Sequence, residues 1–238
     1  MKKTSLLIIA VIGSIFFSCQ PQQSEEKGDA MTENRSLDSF SRMKLSGIVN
    51  LYLSQGDEES IRIEGDAEWV DKLQVQQSGD LLTISLPDGK NTFGKNDKLE
   101  VHLQFKDLSE LEFEGAGQIK SASVLELDEF LISGKGVGNI VLELEAEKIE
   151  AKLNFVGNME LKGASQELYL ENEGVGNIDG SQLICQKVEM YSSGIGMISV
   201  HAEEELILNV SGIGAVNYKG NPKQVTENVS GLGKVSRN

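Results

Sequence analysis

The tripeptide Gly194-Ile195-Gly196 returns as Gly212-Ile213-Gly214. Glycines paired around one residue can cradle a phosphate, the first chemistry this chain could host. A phosphate loop needs its glycines to leave a strand and open a helix within a strand-helix-strand unit. Here strand-type alternation follows the glycines each time, and no Gly-Lys-Ser/Thr ending occurs, which argues against nucleotide binding. Calcium-binding glycine-rich repeats need an aspartate after the glycines. This chain has Gln118, Asn139, Asn158, Asn177, Met197, Ala215 and Lys234 there.

Other reactive side chains are sparse. His102, in "LEVHLQF", alternates away from its apolar neighbours, and His201 follows Val200 in the same way. Neither has a second histidine or a cysteine at metal-ligand spacing, so no metal or cofactor is expected. Cys185 lies in the apolar "LICQKV" and reads as a small buried side chain, with no basic neighbour to activate it. What remains are carboxylates and tyrosines, and these act together only if the fold stacks them.

The elements that would do so are repeats. Gly-apolar-Gly recurs at 115–117, 136–138, 174–176, 194–196, 212–214 and 231–233, and Phe155-Val156-Gly157 fills the gap. Successive second glycines are 21, 19, 19, 20, 18 and 19 residues apart. Six residues before the first glycine position stand Phe130, Ile149, Leu168, Val188, Leu206 and Val225, and two past the second stand Ile119, Ile140, Met159, Ile178, Ile198, Val216 and Val235. Each unit thus holds two short alternating strands, which cannot bury an inward face alone but can when stacked. The expected fold is all-β: a β-solenoid of the right-handed parallel β-helix, pectin-lyase-like kind, with a strand-rich N-terminal cap region. Glycine suits the corners, and the apolar residue between the glycines is expected to point inward and plug each bend.

The spacing divides the chain into a signal segment at 1–18, a flexible tether at 19–36, a strand-rich part at 37–112 and the solenoid with its GxG repeats at 113–238. Within 37–112, "AEWVDKL" suits one or two helical turns burying Trp69 and Leu73. The last copy, "GLGKVSRN", is short and charged, as a blunted end would be.

Stacking brings the candidates together. Glu160 and Asp179 fall on neighbouring coils about 4.8 Å apart, where two carboxylates could share a proton or hold a cation. A solvated, charge-mixed face explains them equally well, with Lys162 nearby. On the opposite sheet Tyr169, Tyr191, Ile207, Asn209 and Asn228 point outward and make the candidate ligand face, since aromatics offer contact area and amides add hydrogen bonds.

"GVGNI" at 136–140 and again at 174–178, the serial Gly-x-Gly corners and the run-in "GIVNLYLSQGDEESIRIEGDAEWVDKLQVQQSGDLLTISL" resemble bacterial lipoproteins carrying an autotransporter-adhesin head, or GIN, domain. The resemblance covers about residues 37–236. It implies a β-helix without catalytic residues and a role in adhesion.

Residues 1–18, two lysines then an apolar run closing on Ser18, read as an export signal, with Cys19 as the lipid-attachment site of a lipoprotein. Removing them leaves 20 basic against 37 acidic residues, so nucleic acid is not an expected partner. The sequence is read as an outer-membrane lipoprotein in the cell envelope of a Gram-negative bacterium, periplasmic or surface-exposed. It would act as a non-catalytic binding or adhesion module, contacting the membrane through its N-terminal lipid and recognising a glycan or a surface or matrix protein. The alternatives are a carbohydrate-active β-helix enzyme, a polysaccharide lyase or hydrolase working around Glu160 and Asp179, and a purely structural envelope protein. If Cys19 carries the lipid, Cys19→Ser moves the protein from the membrane to the soluble fraction on fractionation, whereas unchanged partitioning would mean another attachment.

Overall fold

The computed structural model describes residues 30–86 and 99–237, so the signal segment and Cys19 lie outside the described residues. Alternating sequence becomes extended backbone almost throughout. In the glycine-marked part the strands are β8 (Glu110–Ser121), β9 (Leu125–Asn172), β10 (Val175–Ser192), β11 (Ile195–Val210), β12 (Ile213–Lys219), β13 (Gln224–Val229) and β14 (Leu232–Arg237). Each coil contributes one strand to a ladder before the corner and one to a ladder after it. Parallel pairing joins neighbouring coils in the register the repeat demands: Gly176 stands opposite Gly157 and Gly196, and Gly214 opposite Gly196 and Gly233. The protein is a β-solenoid of stacked parallel coils.

The stack extends well into the N-terminal part. There the strands are β1 (Ala30–Ser36), β2 (Arg42–Ile48), β3 (Asn50–Gln55), β4 (Ser60–Asp66), β5 (Gln74–Ser78), β6 (Leu81–Ser85) and β7 (Leu99–Phe105), with helix α1 (Ala67–Lys72) between β4 and β5. β2 and β3 pair in parallel with the two halves of β8, and Gly47-Ile48 stacks on Gly115-Ala116. On their far side β2 pairs in parallel with β6, and β3 with β7. Two further coils therefore precede the repeats read from sequence. The spatial order differs from the chain order, because the β2–β3 coil lies between β8 and the later β6–β7 coil.

The end beyond β6 and β7 is closed by antiparallel strands, with β4 on β7, β1 on β4, and β5 on β6. Residues 30–36, placed by composition at the end of the tether, form β1, which tucks Met31 against the core. Helix α1 buries Trp69 and Val70, with Leu73 buried just past its end, as the apolar spacing of "AEWVDKL" implies.

One hydrophobic core runs the length of the stack from Phe40 to Val216. The two apolar columns before and after the glycines are its ladders, and both are buried until the last coil, where Val225 is exposed and Val235 only partly covered. Glu227 follows Leu208 in what would be the next inward position. An inward-facing charge on a terminal strand discourages further strand addition.

The corner residues differ from expectation. Ile48, Val137, Val156, Val175, Ile195 and Ile213 are 45 to 57% exposed, and Leu232 is 80% exposed. They point outward because the backbone stays extended through the bend, so two-residue alternation continues from one inward ladder to the next. The glycines take the inward parity instead. Gly196, at φ +145, has its missing Cβ directed along the stack onto the carbonyl oxygen of Gly176. No L side chain fits there.

Gly196→Val therefore lowers stability by about 2 kcal/mol or more, while the adjacent Ile195→Thr changes it by about 0.5 kcal/mol or less. Thermal melting of both variants checks the pair, since equal shifts would contradict this assignment of inward and outward positions.

Candidate binding face

The sheet before the corners carries the predicted ligand residues on its outer surface. Tyr169 and Tyr191 come from neighbouring coils but not from opposing positions: Tyr169 faces Glu189 across the ladder, and Tyr191 faces Glu171. The rings meet diagonally, with centroids 5.7 Å apart and planes at 41°. Ile207 stands opposite Glu189 and Asn209 opposite Tyr191, with Asn228 next in line. The Asn228 side-chain amide donates to Asn209 Oδ1 at 3.0 Å. All five residues therefore share one face.

Two shallow clefts flank the tyrosine pair. One, of about 350 Å³, lies between Tyr169 and Ile207 and is edged by Lys148, Lys187, Glu167 and Glu205. The other, of about 320 Å³, lies beyond Tyr191 and is lined by Asn209, Asn228 and the serines 193, 211 and 230. The first offers apolar contact rimmed by charge. The second offers hydroxyls and amides, with the carboxylates of Glu171 and Glu173 at its edge.

Electrostatics keep both phenols protonated. The Tyr191 hydroxyl donates to Glu189 Oε1 at 2.7 Å, and that hydrogen bond, with the carboxylate charge behind it, holds its pKa above the ordinary tyrosine value. Tyr169 is raised mainly by burial and then by the charges of Glu171 and Glu189. Both rings remain neutral, with a hydroxyl at the edge of an apolar surface.

On the sheet after the corners, Glu160 and Asp179 do stand opposite each other. Each already has a partner. Glu160 Oε1 is 2.8 Å from Lys162 Nζ, whose pKa is raised first by that hydrogen bond, and Asp179 Oδ1 accepts from the Ser181 backbone N–H at 3.0 Å. Opposed charges and a local turn thus occupy the two carboxylates. His201 Nε2 lies 2.7 Å from Glu203 Oε1. Cys185 is buried, its Sγ facing the Leu183 carbonyl, and burial pushes its thiol pKa up to about 12.

Two features lay outside the sequence reading. One is the outward aliphatic ladder at the corners, hidden by the assumption that a bend reverses side-chain direction. The other is a group of Glu64, Glu100 and His102 on β4 and β7, whose ligand atoms lie within 4.8 Å of one another. Its members come from strands paired in the cap, and no local spacing could announce it.

The model of the family described as "Putative auto-transporter adhesin, head GIN domain" matches residues 39–222. The chain belongs to this family. Among solved structures, a "putative adhesin" from Bacteroides fragilis NCTC 9343 is similar at 26% identity and a TM-score of 0.83, over 88% of this chain and 97% of that one. A "putative lipid binding protein" from Parabacteroides distasonis ATCC 8503 is 19% identical at a TM-score of 0.66, over 89% of this chain and 97% of that one. A "putative adhesin" from Parabacteroides merdae ATCC 43184 is 20% identical at a TM-score of 0.65, over 89% and 98%. These last two share the fold. No curated protein matches the chain. Among the described residues no helix is long and apolar enough to cross a membrane.

The buried thiol yields a pH prediction. The unfolded thiol ionises near 9, whereas the native one holds its proton to about 12, so this group's contribution to stability is complete below pH 9 and is lost as pH rises between the two values. At pH 8 a maleimide reagent labels Cys185 only as fast as the coil opens. Rapid labelling of Cys185 in the native Cys19→Ser protein would show the thiol to be accessible.

Proposed function

We propose that this GIN-domain protein is a non-catalytic adhesion module of the cell envelope that binds a neutral carbohydrate across the Tyr169–Tyr191 face. The observation that carries this reading is the pair of contacting, protonated tyrosines set between two shallow clefts, with the Asn209–Asn228 amide pair beside them. An aromatic surface covers the C–H face of a sugar ring, while hydroxyls and amides alongside it exchange hydrogen bonds with sugar hydroxyls. Neutrality follows from the surroundings. Glu150, Glu167, Glu171, Glu189 and Glu205 border these residues, against Lys148, Lys152 and Lys187, so an anionic polymer would meet net repulsion.

The family match and the adhesin names of its structural relatives support a binding role. The partners already held by Glu160 and Asp179 favour binding over chemistry at that pair. The lipidated Cys19, with the chain up to β1 as its tether, would hold this face at the outer membrane, and the lipid would be the protein's contact with that membrane.

Tyr169→Ala combined with Tyr191→Ala tests the reading. Both side chains point away from the core, so stability falls by only about 1 to 2 kcal/mol, while retention on an array of neutral glycans and matrix proteins drops at least about tenfold. Glycan retention that survives the double change would exclude this face, and retention by matrix proteins alone would replace the carbohydrate with a protein ligand. Cleavage of any arrayed polysaccharide, lost in Glu160→Gln, would replace the non-catalytic reading with an enzymatic one.

A further inference from the structure

Glu64 on β4 stands directly opposite Glu100 on β7 in an antiparallel pair. Like charges in that position repel and weaken a sheet. Two residues along β7, on the same outer face, His102 brings its Nε2 to 3.9 Å from Glu100 Oε2 and 4.0 Å from Glu64 Oε2. That nitrogen is shut off from solvent and makes no hydrogen bond among the described residues. A buried polar atom without a partner costs stability, and here it points at two carboxylates that repel each other.

The separations explain what is missing. A direct hydrogen bond would need a donor–acceptor distance near 2.9 Å, about 1 Å shorter than those present. A metal ion held at about 2.0 to 2.2 Å from tetrahedral donors sets its ligand atoms about 3.3 to 3.6 Å apart, roughly half an ångström closer than the separations here, a gap that small side-chain rotations would close. The surrounding groups are arranged to suit one. The Tyr52 ring stacks on the imidazole at 4.8 Å with planes 13° apart, fixing its orientation. Arg62, directly opposite His102, binds Glu64 through Oε1 at 3.0 Å and leaves Oε2 facing the nitrogen. Two carboxylates against one guanidinium leave the cluster with negative charge.

We propose that Glu64, Glu100 and His102 bind one zinc ion. One imidazole nitrogen with two carboxylate oxygens suits a borderline cation such as Zn²⁺, whereas calcium and magnesium favour oxygen-only ligation. Three protein ligands leave a fourth position to solvent or to a ligand. The ion would cross-link β4 to β7 at the capped end of the stack, remote from the tyrosine face, and would relieve the repulsion and the unpartnered nitrogen together.

The test is titration of the chelator-treated full chain with Zn²⁺ alone, followed by calorimetry and thermal melting. The expected result is uptake of one equivalent with an affinity of about 10 μM or tighter and a raised melting midpoint. His102→Ala and the isosteric Glu100→Gln each weaken uptake at least about tenfold and abolish the rise, while His201→Ala, at the other histidine–glutamate contact, leaves both unchanged. Circular dichroism establishes that the variants are folded. If His102→Ala is not, Glu100→Gln decides, because it keeps the side-chain volume and removes only the charge. No uptake by the parent chain at about 100 μM Zn²⁺, or uptake unaltered in Glu100→Gln, overturns the assignment.

Discussion

The fold depends on how closely one corner can sit upon the next. At the bends from Gly115 to Gly214 the backbone of one coil rests on the carbonyl groups of its neighbour, and a Cβ at the inward positions would enter those carbonyls, as Gly138 on Gly117 and Gly196 on Gly176 show. The corners are where this constraint recurs from coil to coil, with Gly163 and Gly220 held in the same way elsewhere. At the remaining inward positions a coil needs merely an apolar side chain of suitable size, and the ladders accordingly mix Phe130, Ile149, Leu168, Val188 and Leu206 at one position. Close stacking in turn holds the parallel hydrogen bonds in register, and register decides which outward residues become neighbours. Tyr169 and Tyr191 touch because their corners are aligned.

Division of labour between the faces follows. The sheet before the corners combines aromatic, amide and charged side chains in shallow clefts. Between the two sheets runs the corner ridge, one aliphatic residue per coil from Ile48 to Leu232, bordered by glycines that add no side chain of their own. The capped end is different again, since its strands are antiparallel and its outer face carries the Glu64, Glu100 and His102 cluster.

Much of this architecture could be read from residue types. The spacing of the second glycines set the coil length, and the columns ending in Val225 and Val235 marked the inward ladders. The outward placement of Tyr169, Tyr191, Ile207, Asn209 and Asn228 followed from the same alternation. Three things could not be read. The direction of the corner residue depends on whether the bend is a turn or an extended crossing, and the letters Gly-Ile-Gly serve both. The β2–β3 coil escaped notice because its corner, Gly47-Ile48-Val49, keeps one glycine and stacks on a coil more than sixty residues later in the chain. The approach of Glu64 to His102 arises from antiparallel pairing across the cap, and pairing partners are not encoded in local spacing.

The placement of the β2–β3 coil also governs how the protein yields to a pull. In a simple solenoid the first coil in sequence is the outermost, and tension on that terminus can peel coils away in order, each exposing the next. Here a load entering at Ala30 passes through β1 and then reaches a coil clamped on both sides, by β8 and by β6 with β7. That coil can leave only by sliding out from between two neighbours, breaking both sets of parallel hydrogen bonds at once. The N-terminal end is built as a mechanical lock, and the far end, with the exposed β13 and β14, is where fraying under load would begin.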